Sequence, residues 1–147
     1  MVTLVDSMSI EMGAATGATA ETETSIEEFN FREVPEDSLR PVTVMNTVSP
    51  LCFAQGHRWI TGEIHIKAEV VDFLHHNGTG NVDYLPVGTA SPAVPYFVVT
   101  IVGHDAASYT YTFTGTKITG ESMSLKHGGE GVTVIRFVAT SVAVAAV

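Results

Sequence analysis

Period-two alternation runs through much of this chain. In WITGEIHIKAEV (59–70), Ile60, Ile64, Ile66, Ala68 and Val70 share one parity, with Gly62 in register. Trp59, Thr61, Glu63, His65, Lys67 and Glu69 share the other. Successive strand side chains point to opposite faces, so this spacing predicts a long strand buried on one side only. Residues 2–12 alternate in the same way: Val2, Leu4, Met8, Ile10 and Met12 keep one parity, with Asp6 the exception. VPYFVVTIV (94–102) is nearly continuous in apolar residues and predicts a buried strand. SYTYTFTGTKI (108–118) sets Tyr109, Tyr111 and Phe113 against Thr110, Thr112 and Thr114. TGES (119–122) then reads as a turn into a short SMSLK strand, and HGGEG (127–131) as a glycine-rich turn. VTVIRFVATSVAVAAV (132–147) is β-rich to the end.

The segments between these strands are less regular. GAATGATAETETS (13–25) reads as a long loop of small and polar residues. Residues 26–34 fit either a short helix or an extended arm carrying Ile26, Phe29, Phe31 and Val34. PVTVMNTV (41–48) is rich in β-branched residues, but Pro50 closes it. VVDFLHHNG (70–78) fits a short helix with Asn77-Gly78 at its C-cap, or a continued strand ending in a turn. Residues 79–95, broken by glycine, asparagine and proline, read as a loop. About seven strands with turn signals between them predict an all-β sandwich or barrel with one short helix. A length of 147 residues fits a single domain, 1–147, with 13–37 as a long acidic loop or arm.

Charge changes the picture in one place. Seven Lys and Arg face sixteen Asp and Glu, a net charge of −9. Residues 1–37 hold nine of the acids and a single base, Arg32, so almost all of the imbalance lies in the first quarter. Such a balance argues against a protein held on nucleic acid by phosphate contacts. It fits either a solvated, mobile N-terminal region or a surface built to be negative. The first residues lack the basic segment of a signal peptide, and no apolar run approaches the eighteen residues of a spanning helix. A soluble, non-secreted protein is the expectation.

Candidate chemistry is sparse. One cysteine, Cys52, excludes an intrachain disulfide and a cysteine-based zinc cluster, and its apolar PLCFA setting predicts a core thiol. The six histidines show no metal-binding spacing: His75 and His76 are adjacent and point apart, and His57 and His65 are eight residues apart. No nucleophile elbow, phosphate loop or dinucleotide fingerprint occurs. No catalytic residue, metal site or cofactor is expected.

Two blocks carry a family resemblance. In GHRWITGEIHIKAEV (56–70), Arg58, Gly62, Ile64 and Ile66 form an R-x-x-x-G-x-I-x-I pattern. In YTYTFTGTKITGESMSLKHGGEGVTVIRFVAT (109–140), an aromatic-Thr strand leads into F-x-G-x-K-I-x-G-E-S-x-S-L-K, a glycine-rich turn and a strand ending in V-A-T. Together with the layout of the rest, residues 56–140 resemble the tail tube proteins of tailed bacteriophages, which are similar to the tubes of type VI secretion and contractile injection systems. The resemblance implies a non-enzymatic virion protein, made in the host cytoplasm and placed in the tail. Its partners would be itself, as homohexameric rings stacked into a hollow tube, and other tail proteins. DNA would pass in transit without specific binding, and no membrane would be involved. On that reading the polar face of 59–70, with Glu63, His65, Lys67 and Glu69, lines the lumen. Residues 13–37 become ordered at an interface. The competing reading is a β-sandwich binding module, such as a capsid decoration or carbohydrate-binding domain, with Trp59, Tyr96, Tyr109 and Tyr111 as contact residues.

Overall fold

The computed structural model describes residues 4–13, 21–24, 26–34, 39–45, 49, 52–67, 84–86 and 88–146. Among them the alternating segments form strands: β1 (Val5–Gly13), β2 (Glu21–Glu23), β3 (Ile26–Val34), β4 (Leu39–Val42), β5 (Cys52–Gln55) and β6 (Trp59–Ile66). β7 (Tyr96–Gly103), β8 (Ser108–Thr114), β9 (Lys117–Ser124), β10 (Val132–Ala139) and β11 (Ser141–Ala146) complete the set. Every pairing is antiparallel. One sheet has the order β11-β8-β7-β1-β2, a second β3-β6-β10-β9, and β4 and β5 make a third of their own. The expected all-β sandwich is present. The barrel alternative is not, because both large sheets end in strands that pair on one side only among the described residues. No helix occurs among the described residues; the helix expected at 70–78 lies outside them.

Two strand-to-strand corners tie the large sheets together. β8 passes into β9 through Gly115 and Thr116, and β10 passes into β11 through Thr140, so both chains switch sheets by bending. Gly115 takes a φ of +64°, and a Cβ there would sit 2.6 Å from Thr140 Oγ1. Thr140 donates twice to the Thr114 carbonyl, from its amide at 2.9 Å and from its hydroxyl at 2.8 Å. The bend therefore falls at Gly115. Residues 119–122, expected as a turn, lie within β9. The register slips opposite Arg136 and Phe137 as β9 passes from Gly120 to Ile118, so Thr119 is the extra residue of a bulge. The turn at 127–131 is where the glycines put it, with Gly128 at a φ of +75°.

The 13–37 segment is not a loop or arm along its whole length. It contains β2, which extends the five-stranded sheet beyond β1, and β3, which pairs along the full length of β6. A register slip between Ile26 and Glu28 moves Ile26 out of step with Phe29 and Phe31. That slip hides the alternation from a period-two reading. Cys52 is exposed, not a core thiol. It lies in β5, whose ladder partner among the described residues is β4 alone.

Phe29, Phe97, Phe113 and Phe137 meet between the large sheets, with Phe137 at ring-centroid distances of 4.9 Å from Phe97 and 5.1 Å from Phe113. Phe29 and Phe137 lie with their planes within 2° of parallel at 6.5 Å. Ile10, Met12, Ile60, Ile64, Ile66, Val99, Ile118 and Ile135 fill the space around them. Tyr84 and Val94, from the stretch read as loop, are also buried there. Gly62 makes room for Phe137: a Cβ would stand 2.5 Å from its Cζ and 2.7 Å from the Asn30 carbonyl oxygen.

Gly62→Ala should therefore destabilise the fold by about 1–3 kcal/mol, measured as the loss of unfolding free energy in urea, since the backbone of β3 cannot yield without moving the ladder. Thr133 should show the opposite sign. Its hydroxyl is buried in the core without a hydrogen-bond partner among the described residues. Thr133→Val removes that polar group at equal shape and should raise stability by roughly 1 kcal/mol in the same assay.

Candidate functional site

Gly62, Ile64 and Ile66 point inward from β6, so Trp59, Thr61, Glu63 and His65 point outward. The ladders extend these residues into rows across the four-stranded sheet. Arg32, Thr61, Val138 and Lys117 form one row. Asn30, Glu63, Arg136 and Gly120 form the next, and Glu28, His65, Val134 and Ser122 the third. Lys67 follows at the end of β6. Of the four candidate lumen residues, Glu63, His65 and Lys67 therefore share one face; Glu69 lies outside the described residues.

Several charges on this face are paired. Arg136 Nε lies 3.3 Å from Glu63 Oε1, and His65 Nε2 lies 3.3 Å from Glu63 Oε2. Lys67 Nζ lies 3.3 Å from Glu130 and 3.8 Å from Glu27. Glu130 beside the Lys67 ammonium raises its pKa above the usual lysine value, first through the hydrogen bond and then through charge, with Glu27 adding to it. Near the other end of β6, Arg58 Nη1 donates to Glu33 at 2.8 Å. Glu27 and Glu33 of β3 thus meet cations from far along the chain. A shallow concavity of 350 Å³ lies over Asn30, Arg32, Thr61 and Glu63.

The outer face of the five-stranded sheet is different in kind. Ser9 from β1, Thr100 from β7 and Thr110 from β8 stand in register there, with Ser7 and Thr112 on the same face. Glu11 on this face accepts a hydrogen bond from Tyr96 Oη at 3.1 Å. Burial raises the Tyr96 phenol pKa, and the Glu11 hydrogen bond and charge raise it further.

The aromatic contact residues of the binding-module reading do not converge. Trp59 lies on the four-stranded sheet, while Tyr96 and Tyr109 lie on opposite faces of the five-stranded one. Tyr111 packs inward, with ring centroids 6.1 Å from Phe29 and 5.7 Å from Phe31. Among the histidines, His104 Nδ1 lies 3.2 Å from Asp6, His57 and His127 are exposed, and His75 and His76 lie outside the described residues. Among the described residues no three His, Cys, Asp or Glu side chains are grouped to hold a metal ion.

Sequence reasoning missed a second exposed feature. The β4–β5 hairpin carries Leu39 and Phe53 exposed on it, and Val42, Val44 and Met45 are exposed at and beyond the end of β4. A period-two count over four-residue strands gives too little signal to find it.

No family model matches the chain, and no curated protein matches it either. Among solved structures it is similar to the tail tube of SPP1, determined by solid-state NMR and cryo-electron microscopy. The TM-score is 0.56 at 9% sequence identity, over 94% of this chain and 76% of that one. The chain therefore has the fold of a phage tail tube protein.

Proposed function

We propose that the chain is a structural subunit of a tail tube: six copies form a ring, rings stack, and DNA passes through the hollow centre. The observation that carries this reading is the likeness of fold to the SPP1 tail tube across nearly the whole chain. Three features of the molecule support it. The four-stranded sheet ends in β3 and β9, so its ladder can continue into a neighbouring copy. The apolar β4–β5 hairpin is a surface that an isolated subunit leaves in water. The outer face of β3-β6-β10-β9 spans four paired strands and is mainly polar, as a conduit wall needs to be.

On this reading Glu63, His65, Lys67 and Glu69 face the lumen. The work is mechanical and needs no catalytic group, cofactor or membrane. A heterologous contact that closes after six copies gives the ring, and a second, head-to-tail contact gives the tube. Other tail proteins would meet the two ends. The binding-module reading loses its support, because its four aromatic residues are spread over separate faces.

Negative-stain images of the concentrated protein should show rings or tubes, and light scattering should show a mass well above 15.6 kDa. Monomer alone at every concentration overturns the reading. The wall assignment has its own check. In a Cys52→Ser background, Glu63→Cys should react with a small maleimide in assembled tubes but resist one carrying a large polymer. Full-rate modification by the large reagent in intact tubes places that face outside.

A further inference from the structure

The wall proposed above contains cations, and that poses a problem for a conduit. Arg32, Lys117 and Arg136 stand in its rows and Lys67 at its end. Guanidinium and ammonium groups on an open face bind DNA phosphates. The carboxylates Glu27, Glu28, Glu63 and Glu130 are equal to them in number, and their placement is specific. Lys67 is held by Glu27 and Glu130 at the end of the face. Arg136 stands near its middle, and its neighbours in register are Glu63 on β6 and Gly120, which has no side chain, on β9. Val134 and Val138 flank it along β10. Glu63 is thus the carboxylate that meets Arg136, at 3.3 Å.

We infer that Glu63 is an electrostatic mask for Arg136, and that without it this face binds the backbone of double-stranded DNA. The inference rests on the conduit reading for its biological meaning, but the masking itself is a property of the single subunit. Half of the Arg136 side chain is open to solvent, so the guanidinium is within reach of a phosphate. A carboxylate in contact with it turns a single charge into a dipole, whose field falls off faster with distance. An approaching phosphate also meets the negative oxygen. The pair adds little to stability at this exposure, because water and salt screen it. Its effect is on what the face attracts. In a ring the same pair recurs in every copy, so unmasking it adds one cation per subunit to a single continuous wall.

The test uses the full chain and a fluorescent 30-base-pair duplex, followed by anisotropy over a series of salt concentrations. Wild type should bind weakly. Glu63→Gln keeps the size and the acceptor oxygen and removes the charge; it should bind more tightly at low salt. Its slope of log affinity against log salt should steepen by about 0.9 for each subunit touching the duplex. Glu63→Gln combined with Arg136→Gln should return to wild-type behaviour. The exchanged pair, Glu63→Arg with Arg136→Glu, should also stay weak and serves if the single variant folds poorly by circular dichroism. Glu63→Gln indistinguishable from wild type overturns the inference, and so does a gain that survives removal of Arg136. Negative-stain images of the same samples report separately: absence of rings overturns the tube reading and leaves the masking result standing.

Discussion

The seating of Phe137 against the bare backbone of Gly62 sets the geometry on which the rest depends. It brings β10 and β6 into register at the point where the ring of Phe137 also reaches Phe97 and Phe113 of the other sheet. A side chain at position 62 would push against the Asn30 carbonyl of β3 as well, so one missing Cβ fixes the mutual placement of three neighbouring strands. Losing a buried phenylalanine typically costs about 3–5 kcal/mol, a large share of a small domain's net stability. The same constraint orients the polar face. With Gly62 turned inward, Thr61 and Glu63 on either side must turn outward, and Glu63 then falls opposite Arg136. Packing inside the sandwich thereby decides which charges meet outside it.

The net charge of −9 gives a misleading picture of this surface. The acids of β3 are early in the chain and look unaccompanied there, yet Glu27 meets Lys67 and Glu33 meets Arg58 once the strands pair. The four-stranded face becomes a mosaic of opposite charges instead of a negative wall. At physiological salt, screening acts over about 8 Å, so contact pairs govern the local field more than the sum over the chain does. An acidic protein can carry a face on which local pairing, not net charge, decides how a polyanion is received.

Much of the core was legible in sequence because most of it alternates without interruption. The parity of 59–66, the apolar run of β7 and the glycine-rich turn after β9 all follow from one-dimensional pattern. What escaped shares a physical cause: a local break in period two. A bulge near Glu27 put Ile26 out of step with Phe29, so β3 looked like a helix or an arm. Thr119, bulged out next to Gly120, made the interior of β9 look like a turn. At Gly115 and Thr140 the chain changes sheet with almost no intervening residues, so 108–118 and 132–147 each read as one uninterrupted stretch. Cys52 failed differently: an apolar neighbourhood in sequence implies burial only where a second layer exists. Parity put Glu63, His65 and Lys67 on one face, but their ion-pair partners, up to 73 residues away along the chain, could not be read from spacing.

On the tube reading, the third sheet connects the subunit's stability to its assembly. An isolated two-stranded hairpin is at best marginally stable in water, because two strands cannot cover their own apolar residues. β4 and β5 form such a hairpin, and Phe53 at 62% exposed and Met45 just beyond β4 at 88% would make it costlier still in a free subunit. β3 leads into this hairpin and β6 leads out of it, and those two strands pair along their whole length, so the sandwich already brings the hairpin's ends together. That arrangement removes most of the loop-closure cost without burying anything. In the tube reading the burial comes from a neighbouring copy. The sandwich then supplies stability independent of assembly, and the hairpin supplies apolar surface whose free energy is gained only on contact. Such a division keeps the two equilibria separable: subunits fold first around Phe137, and association draws on a surface that folding left unused.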